Sequence, residues 1–430
     1  MSSVSYSRLL RENRNFRLLW AGQLISLLGD WFSAIPLQVL LLHYTGSASA
    51  VAGFIIATML PGFLLAPMCG VIVDRFPRRA VMIVSDLARA VIALGLLGVR
   101  GPETVWVAYA CMAMLSVFSV LFDPARSAVL PNIVSKEELV SANALSAVTW
   151  SIMLTSGALA GGIVAKYLGT DTVFILNSLS FIVSALFLAR MVMPQADAPQ
   201  RHPERRNELL EGFRYVRRHP EIVGALTSKM GWGLAGGVQV LLPIYGTQLF
   251  RLPNDPHGHL TTSLLMAAGG IGTAIGPVVA RRITGPEPSR IRWAIAVSFL
   301  LGAIYYACMA GAPGLALVVL FLLLARFHGS IVWVFSTVLL QLLTEDRYRG
   351  RVFAVEVSLF TGAMMLSSVL TGRAIDLRWA TVPQITLALA GVSFAVGLLW
   401  VARLARGPLP AAGLPERPPE PVGEGSGEAV

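Results

Sequence analysis

Six charged side chains stand inside long apolar runs of this 430-residue sequence: Asp30, Asp86, Arg89, Lys229, Arg326 and Glu356. They are the residues best placed to do chemistry, because an ionisable group surrounded by hydrocarbon is costly and needs a partner or a task. Burial makes a carboxylate harder to ionise, and a nearby cation makes it easier. An acid that gains and loses a basic neighbour as helices move would therefore take up and release a proton. Asp86 and Arg89 are three residues apart and can neutralise each other on one helix face. Asp123 and Arg126 repeat that spacing at the end of a run. Asp30, Lys229, Arg326 and Glu356 have no opposite charge on their own segment. Two acids and two bases can pair between helices, either as static ion pairs or as groups that change partner. Trp31, next to Asp30, adds an aromatic surface suited to an amphiphile.

No other chemistry is encoded. Walker A, G-x-S-x-G and HExxH patterns are all lacking, so neither ATP use nor hydrolysis is expected, and the chain is not read as an enzyme. Cys69, Cys111 and Cys308 lie far apart without CxxC spacing, which predicts small buried hydrophobes and neither a disulfide framework nor a metal site. No cofactor is implied.

The elements that must position these charges follow from composition. Charged residues make up 13% of the chain and hydrophobic residues 55%, with mean hydropathy +0.67. Ordinary soluble proteins carry about 25% charge, so this chain cannot coat a water-soluble globule. Twelve apolar runs reach the roughly 20 residues that a helix needs to cross a bilayer, from about 18–42 to 382–402. They are continuous and lack period-two alternation, which favours helices over barrel strands. The first run is too long for a leader peptide and carries Asp30, so it is read as a span and not as a cleaved leader.

The net charge of +10 raises the question of an acidic partner such as nucleic acid. Its distribution answers otherwise. With the N-terminus inside, 26 Lys and Arg fall in the inner segments and 5 in the outer loops. That asymmetry predicts both termini on the cytoplasmic side and attributes the basic charge to topology.

The longest inner link separates six runs from six. The predicted units are an N-terminal six-helix bundle over 1–189, a cytoplasmic link over 190–221, a C-terminal bundle over 222–403 and a disordered tail over 404–430. Within the link, Asn207 could cap a short amphipathic helix lying on the inner leaflet or standing in water. Faint internal repetition supports the duplication. Gly70-Val-Ile-Val-Asp-Arg ends run two and Gly276-Pro-Val-Val-Ala-Arg-Arg ends run eight, while Leu130-Pro-Asn-Ile-Val-Ser-Lys-Glu after run four echoes Leu340-Gln-Leu-Leu-Thr-Glu-Asp after run ten.

The sharpest motif is the loop Gly70-Val-Ile-Val-Asp74-Arg75-Phe-Pro-Arg78-Arg79. Glycine allows close helix approach, the acid can accept from a helix N-terminus, and the arginines can pair with acids or hold the turn at the membrane surface. Contacts of this kind can act as a latch that exists only when the inner side is closed. The loop resembles motif A of the major facilitator superfamily, with Pro77 where that family usually has glycine. The segments around Asp30-Trp31-Phe32, Ser85-Asp86-Leu-Ala-Arg89, Phe122-Asp123-Pro-Ala-Arg126 and Ser141-Ala-Asn143 resemble its drug–proton antiporter branch, near macrolide and siderophore exporters. Thr155-Ser-Gly157-Ala158-Leu-Ala-Gly161-Gly162 resembles the antiporter motif C, with alanine at its usual proline.

The resemblance implies an all-α polytopic membrane protein of twelve transmembrane helices in two six-helix bundles that rock around a central cavity. It places Asp30, Lys229 and Arg326 on cavity-lining spans and Glu356 on a span facing the opposite half. Gly70, Asp74, Arg75, Arg78, Arg79, Asp123 and Arg126 would form the cytoplasmic gate and its charge relay. Gly157, Gly161 and Gly162 would form a helix-packing face. The expected activity is proton-coupled efflux of an amphipathic small molecule by a monomer in a bacterial cytoplasmic membrane, with no ATP and no nucleic acid involved. A lysophospholipid flippase or siderophore exporter on the same scaffold is the alternative cargo reading. A non-transporting membrane sensor or assembly protein is the alternative from another class.

Overall fold

The computed structural model describes residues 6–192, 208–285 and 287–405, and among them it contains helices and no strand. In chain order the helices are α1 (Tyr6–Glu12), α2 (Arg14–Thr45), α3 (Ala48–Arg75), α4 (Arg78–Gly95), α5 (Val105–Ile133), α6 (Lys136–Ala189) and α7 (Glu208–Arg218). There follow α8 (Pro220–Leu234), α9 (Val238–Ile244), α10 (His259–Thr284), α11 (Pro288–Ala310), α12 (Leu315–Leu343), α13 (Asp346–Asp376) and α14 (Val382–Ala405). Local chemistry sets several of these boundaries. Asn13 opens α2 by accepting from the Phe16 amide at 2.9 Å, and Gly46 at φ 63° closes it. Ser135 and Glu138 form a reciprocal capping box at the start of α6, satisfying two amides that the helix itself cannot. The two repeated sequence segments fall at matching places. One pair ends α3 and α10, and the other joins α5 to α6 and α12 to α13.

Ten helices among the described residues are long and apolar enough to cross a membrane, against twelve predicted spans. Two local features account for the difference. Helix α6 runs for 54 residues, which is about 80 Å if straight and far more than one crossing needs. Gly169, at φ 82° and ψ 163°, breaks it into two lengths with a backbone conformation that glycine accommodates. The seventh span, expected unbroken over 222–250, instead opens at 235–237 between α8 and α9 and ends in a π-helical turn at Tyr245–Leu249. The Ser367 hydroxyl of α13 donates to the Leu234 carbonyl at 2.6 Å and accepts from the Gly237 amide at 3.0 Å. A broken helix is tolerated at this depth because a neighbour satisfies the freed backbone groups.

Helices before residue 190 pack mainly on one another, as do those after 219, giving an N-terminal and a C-terminal half. The halves meet chiefly through α6 with α10 and α3 with α13. Their cores show how. Near the turns at Gly46, Val99 and Ala312, one core is shared. It joins Leu37, Leu41, Val51 and Phe174 to Leu241, Tyr245, Leu265 and Leu322. Toward the end that carries α1 and the arginine-rich turns, the core is split. Leu9, Phe16, Met82 and Phe122 form one cluster, and Ile222, Ile295, Leu339 and Trp400 form another. Among the described residues the buried core is therefore continuous between the halves at one end and separate at the basic end. A tie at the continuous end reinforces this. Asp376 at the end of α13 accepts from Ser47 Oγ (2.6 Å), the Ala48 amide (2.7 Å) and the Ser49 amide (3.0 Å), capping α3 from the other half.

The link helix α7 packs against α13. Glu211 pairs with Arg351 at 2.9 Å, Tyr215 stacks on Tyr348, and Gly212 lies against the Arg351 carbonyl. Asn207, most of the preceding linker and the tail beyond Ala405 lie outside the described residues. Of the cysteines, Cys111 is buried as expected, but Cys308 is exposed on α11, because its helix turns that face outward.

Candidate functional site

Three of the six intramembrane charges gather in the N-terminal half. Asp86 on α4 is fully buried, pairs with Arg89 one turn along, and accepts from Ser184 Oγ of α6 at 2.6 Å. The Arg89 guanidinium lies between the rings of Phe122 (4.8 Å) and Phe181 (4.5 Å) and also donates to Ser119 Oγ at 3.4 Å. Its other neighbour is Asp30 of α2, at 3.8 Å. Asp30 differs from Asp86 in access, with 38% of its side chain exposed against 0%. One guanidinium thus serves two carboxylates, a fixed, fully buried one and a loosely held, partly exposed one. Sequence reasoning paired Arg89 with Asp86 and missed its contact with Asp30. The only signal was that both occur near the middle of their runs.

Trp31 follows Asp30 on α2 and packs edge-on against Trp150 of α6, centroids 5.8 Å apart. Its indole nitrogen is buried without a hydrogen-bond partner. The α2–α6 contact that positions both residues depends on small side chains. A methyl at Gly157 would meet the Leu28 carbonyl and Trp31 Cβ at 2.9 Å, and one at Gly161 would overlap the Phe32 backbone. Gly162 abuts Ser263 and the His259 carbonyl of α10, which brings the second half to the same face.

In the C-terminal half, Lys229 of α8 and Glu356 of α13 form a closed pair. Lys229 Nζ lies 2.9 Å from Glu356 Oε2, donates to Thr337 Oγ1 at 2.8 Å and sits 4.5 Å from the Trp333 ring centroid. The two side chains are 6% and 0% exposed, so Lys229 does not open to a cavity as its span suggested. It turns toward α13 because Glu356 supplies its counter-charge there. Arg326 of α12 is different. Its Nε is buried without a hydrogen bond, and among the described residues no acid pairs with it. It lines a cavity of about 30 Å³ with Trp232, Gly236, Gln239, Tyr306 and Met364. Trp232 also contacts Trp333 and Phe360 edge-on or tilted, so an aromatic wall separates the closed pair from the free guanidinium.

Comparison with known proteins adds to this geometry. The sequence profile of the Major Facilitator Superfamily matches residues 19–356. The chain belongs to the major facilitator superfamily. It is a membrane transporter and not an enzyme, and efflux proteins are among its relatives. It is 26% identical over 411 residues to the uncharacterized MFS-type transporter YfiS of Bacillus subtilis, covering 91% of this chain and 93% of that one. It is 23% identical over 367 residues to macrolide efflux protein A of Streptococcus pyogenes, covering 83% and 88%. Among solved structures, the nucleoside transporter NupG superposes with a TM-score of 0.72 at 11% identity over 91% of this chain and 99% of its own. At that identity the likeness shows the fold alone.

The residues expected at this transporter's gate lie at the parted, basic end. Arg78 donates to the Ala128 carbonyl near the end of α5 (3.1 Å), and Arg79 Nε donates to the Leu188 carbonyl at the end of α6 (3.0 Å). Both arginines reach carbonyls near the C-terminal ends of their target helices, where the negative end of the helix dipole favours a cation. Asp123 and Arg126 approach to 3.8 Å, and Arg126 reaches Gln23 at 3.5 Å. Arg75 is exposed. All of these contacts stay within the N-terminal half, consistent with the parted cores. The surroundings of Gly70 and the side chain of Asp74 lie outside the described residues.

Proposed function

We propose that this protein is a proton-coupled exporter of an amphipathic small molecule, built as twelve spans in two six-helix bundles, with both termini cytoplasmic in a bacterial inner membrane. The observation that carries the reading is the sharing of Arg89 between Asp86 and Asp30. Asp86 is held by two donors in a dry site, so it keeps the guanidinium in place. Asp30 reaches the same cation at 3.8 Å while remaining partly exposed. A carboxylate in that position can accept a proton without stranding Arg89, because Asp86 still neutralises it. Ionisation of Asp30 draws α2 toward α4, and protonation releases it. Both helices pack on α6, which also touches α10 of the other half, so this change reaches the seam between the halves.

With the basic end inward, the parted cores correspond to a cavity open to the cytoplasm. Closure there would bring the loop of Asp74, Arg75, Arg78 and Arg79 against the C-terminal half, with Asp123 and Arg126 as its relay. The tie between Asp376 and the start of α3 would then open on the outside. Lys229 and Glu356 hold the C-terminal half together and are not needed as the proton site.

Reconstituted vesicles with an imposed pH gradient test this reading. Wild-type protein should drive efflux of an amphipathic dye that collapses when the gradient is dissipated. Asp30→Asn should abolish the gradient dependence while binding to the dye persists. Unchanged gradient-driven efflux in Asp30→Asn would remove Asp30 from the mechanism.

A further inference from the structure

The six intramembrane charges divide unevenly between their partners. Asp86 and Arg89 neutralise each other in charge, as do Lys229 and Glu356. With every group ionised, the N-terminal half retains one negative charge at Asp30 and the C-terminal half one positive charge at Arg326. A guanidinium does not lose its proton in proteins, so Arg326 cannot escape its cost by neutralisation. It needs an anion or water. The cavity beside it, at about 30 Å³, has room for about two waters. That space also suits the two oxygens of an acidic group, and it is too small for a whole amphiphile. The break in the seventh span contributes Ala235 and Gly236 to the same wall, the kind of discontinuity at which transporters hold polar groups.

The two leftover charges belong to opposite halves and are linked by contacts through α6 and α10. Trp31, adjacent to Asp30, packs on Gly157 of α6. Two residues away on α6, a rise of about 3 Å, Thr155 packs on Gly270 of α10. The neighbouring Gly269 backs Arg326, where a methyl would meet its Cγ at 3.2 Å. One chain of packed residues through α6 and α10 thus connects the side of Asp30 to the side of Arg326, while the cavity beside Arg326 is lined by the C-terminal half alone.

We propose that Arg326 docks an acidic group of the cargo, and that the cargo is an amphoteric amphiphile whose basic nitrogen faces Asp30. This rests on the efflux reading above and names its substrate class. Such a molecule completes the charge balance of both halves at once. A purely cationic amphiphile leaves Arg326 without its anion, and a purely anionic one brings a second negative charge near Asp30.

Three probes of matched length separate these cases: ε-dansyl-lysine carries both charges, dansylcadaverine only the amine, and 6-(dansylamino)hexanoate only the carboxylate. Binding to the full-length protein in nanodiscs is read at equilibrium, without a pH gradient, by energy transfer from tryptophan to dansyl, against empty nanodiscs. Wild-type protein should bind ε-dansyl-lysine at least tenfold more tightly than either single-charge probe. Arg326→Gln should cut its preference over dansylcadaverine at least fivefold, and Arg326→Lys should keep part of it. Asp30→Asn should instead erase the preference over 6-(dansylamino)hexanoate. Retained dansylcadaverine binding in Arg326→Gln shows that the variant is folded. The proposal is overturned if Arg326→Gln weakens all three probes alike, if dansylcadaverine binds wild type as tightly as ε-dansyl-lysine, or if none of the three binds. Failure of the efflux reading appears elsewhere, as gradient-driven flux that ignores Asp30→Asn.

Discussion

The two halves use the same materials for different ends. Each buries an acid–base contact against aromatic rings: Arg89 between Phe122 and Phe181, and Lys229 on Trp333. In the C-terminal half the paired charges are even, one acid to one base and both dry, with Arg326 standing apart from them. In the N-terminal half two acids share one base, and the second acid is 38% exposed. An even, dry pair has no spare site for a proton, and breaking it strands a charge. An odd cluster with one partly exposed member can change its charge by one while the dry pair beneath it stays intact. Parity and water access, more than the mere presence of intramembrane charge, separate a structural ion pair from a switch.

The largest expected effect lies on the dry side. Lys229→Ala strands Glu356 and should lower stability by about 3–5 kcal/mol, seen as a fall in the melting temperature of purified protein by fluorescence-detected size exclusion. The double variant Lys229→Met with Glu356→Leu should regain most of that loss. If Lys229→Ala melts like wild type, the C-terminal pair is not dry and the contrast collapses. Next, Ser184→Ala removes the hydroxyl that donates to buried Asp86. A hydrogen bond to a charged group is worth about 1.5–3 kcal/mol, so melting should drop measurably, with gradient-driven efflux retained in the folded fraction. Glu356→Gln keeps an acceptor for Lys229 at lower strength and should cost about 2 kcal/mol on the same scale. Transport by that variant should still follow the pH gradient, and loss of coupling there would make the C-terminal pair a proton site too. The smallest change in stability belongs to Asp30→Asn, within about 0.5 kcal/mol, as expected of a substitution at a partly exposed group. Its effect appears in function, where the pH dependence of probe binding should vanish.

Much of this was legible along the chain. The intramembrane charges were found from residue type and surroundings, and the gate loop from its spacing of glycine, acid and arginines. The capping box at Ser135 and Glu138 and the break at Gly169 are local and could be read from sequence. The break at 235–237 has a local hint in Gly233, Gly236 and Gly237, yet its stability depends on Ser367, more than a hundred residues away. Asp376 carried no signal at all. It looks like a loop acid, and its work is to cap a helix that begins 328 residues earlier.

What the sequence by itself determined is the class of molecule: membrane-embedded, helical and uneven in its basic charge. These properties are sums and periodicities, and they survive without knowledge of which helix touches which. Which acid is dry, which cation lacks an anion, and which end of the molecule is parted were decided only in three dimensions. Those outcomes depend on distances between residues such as Lys229 and Glu356, 127 positions apart, and on the water that packing admits or excludes. A carboxylate's cost and its use are set by that environment, which no run of neighbouring residues specifies.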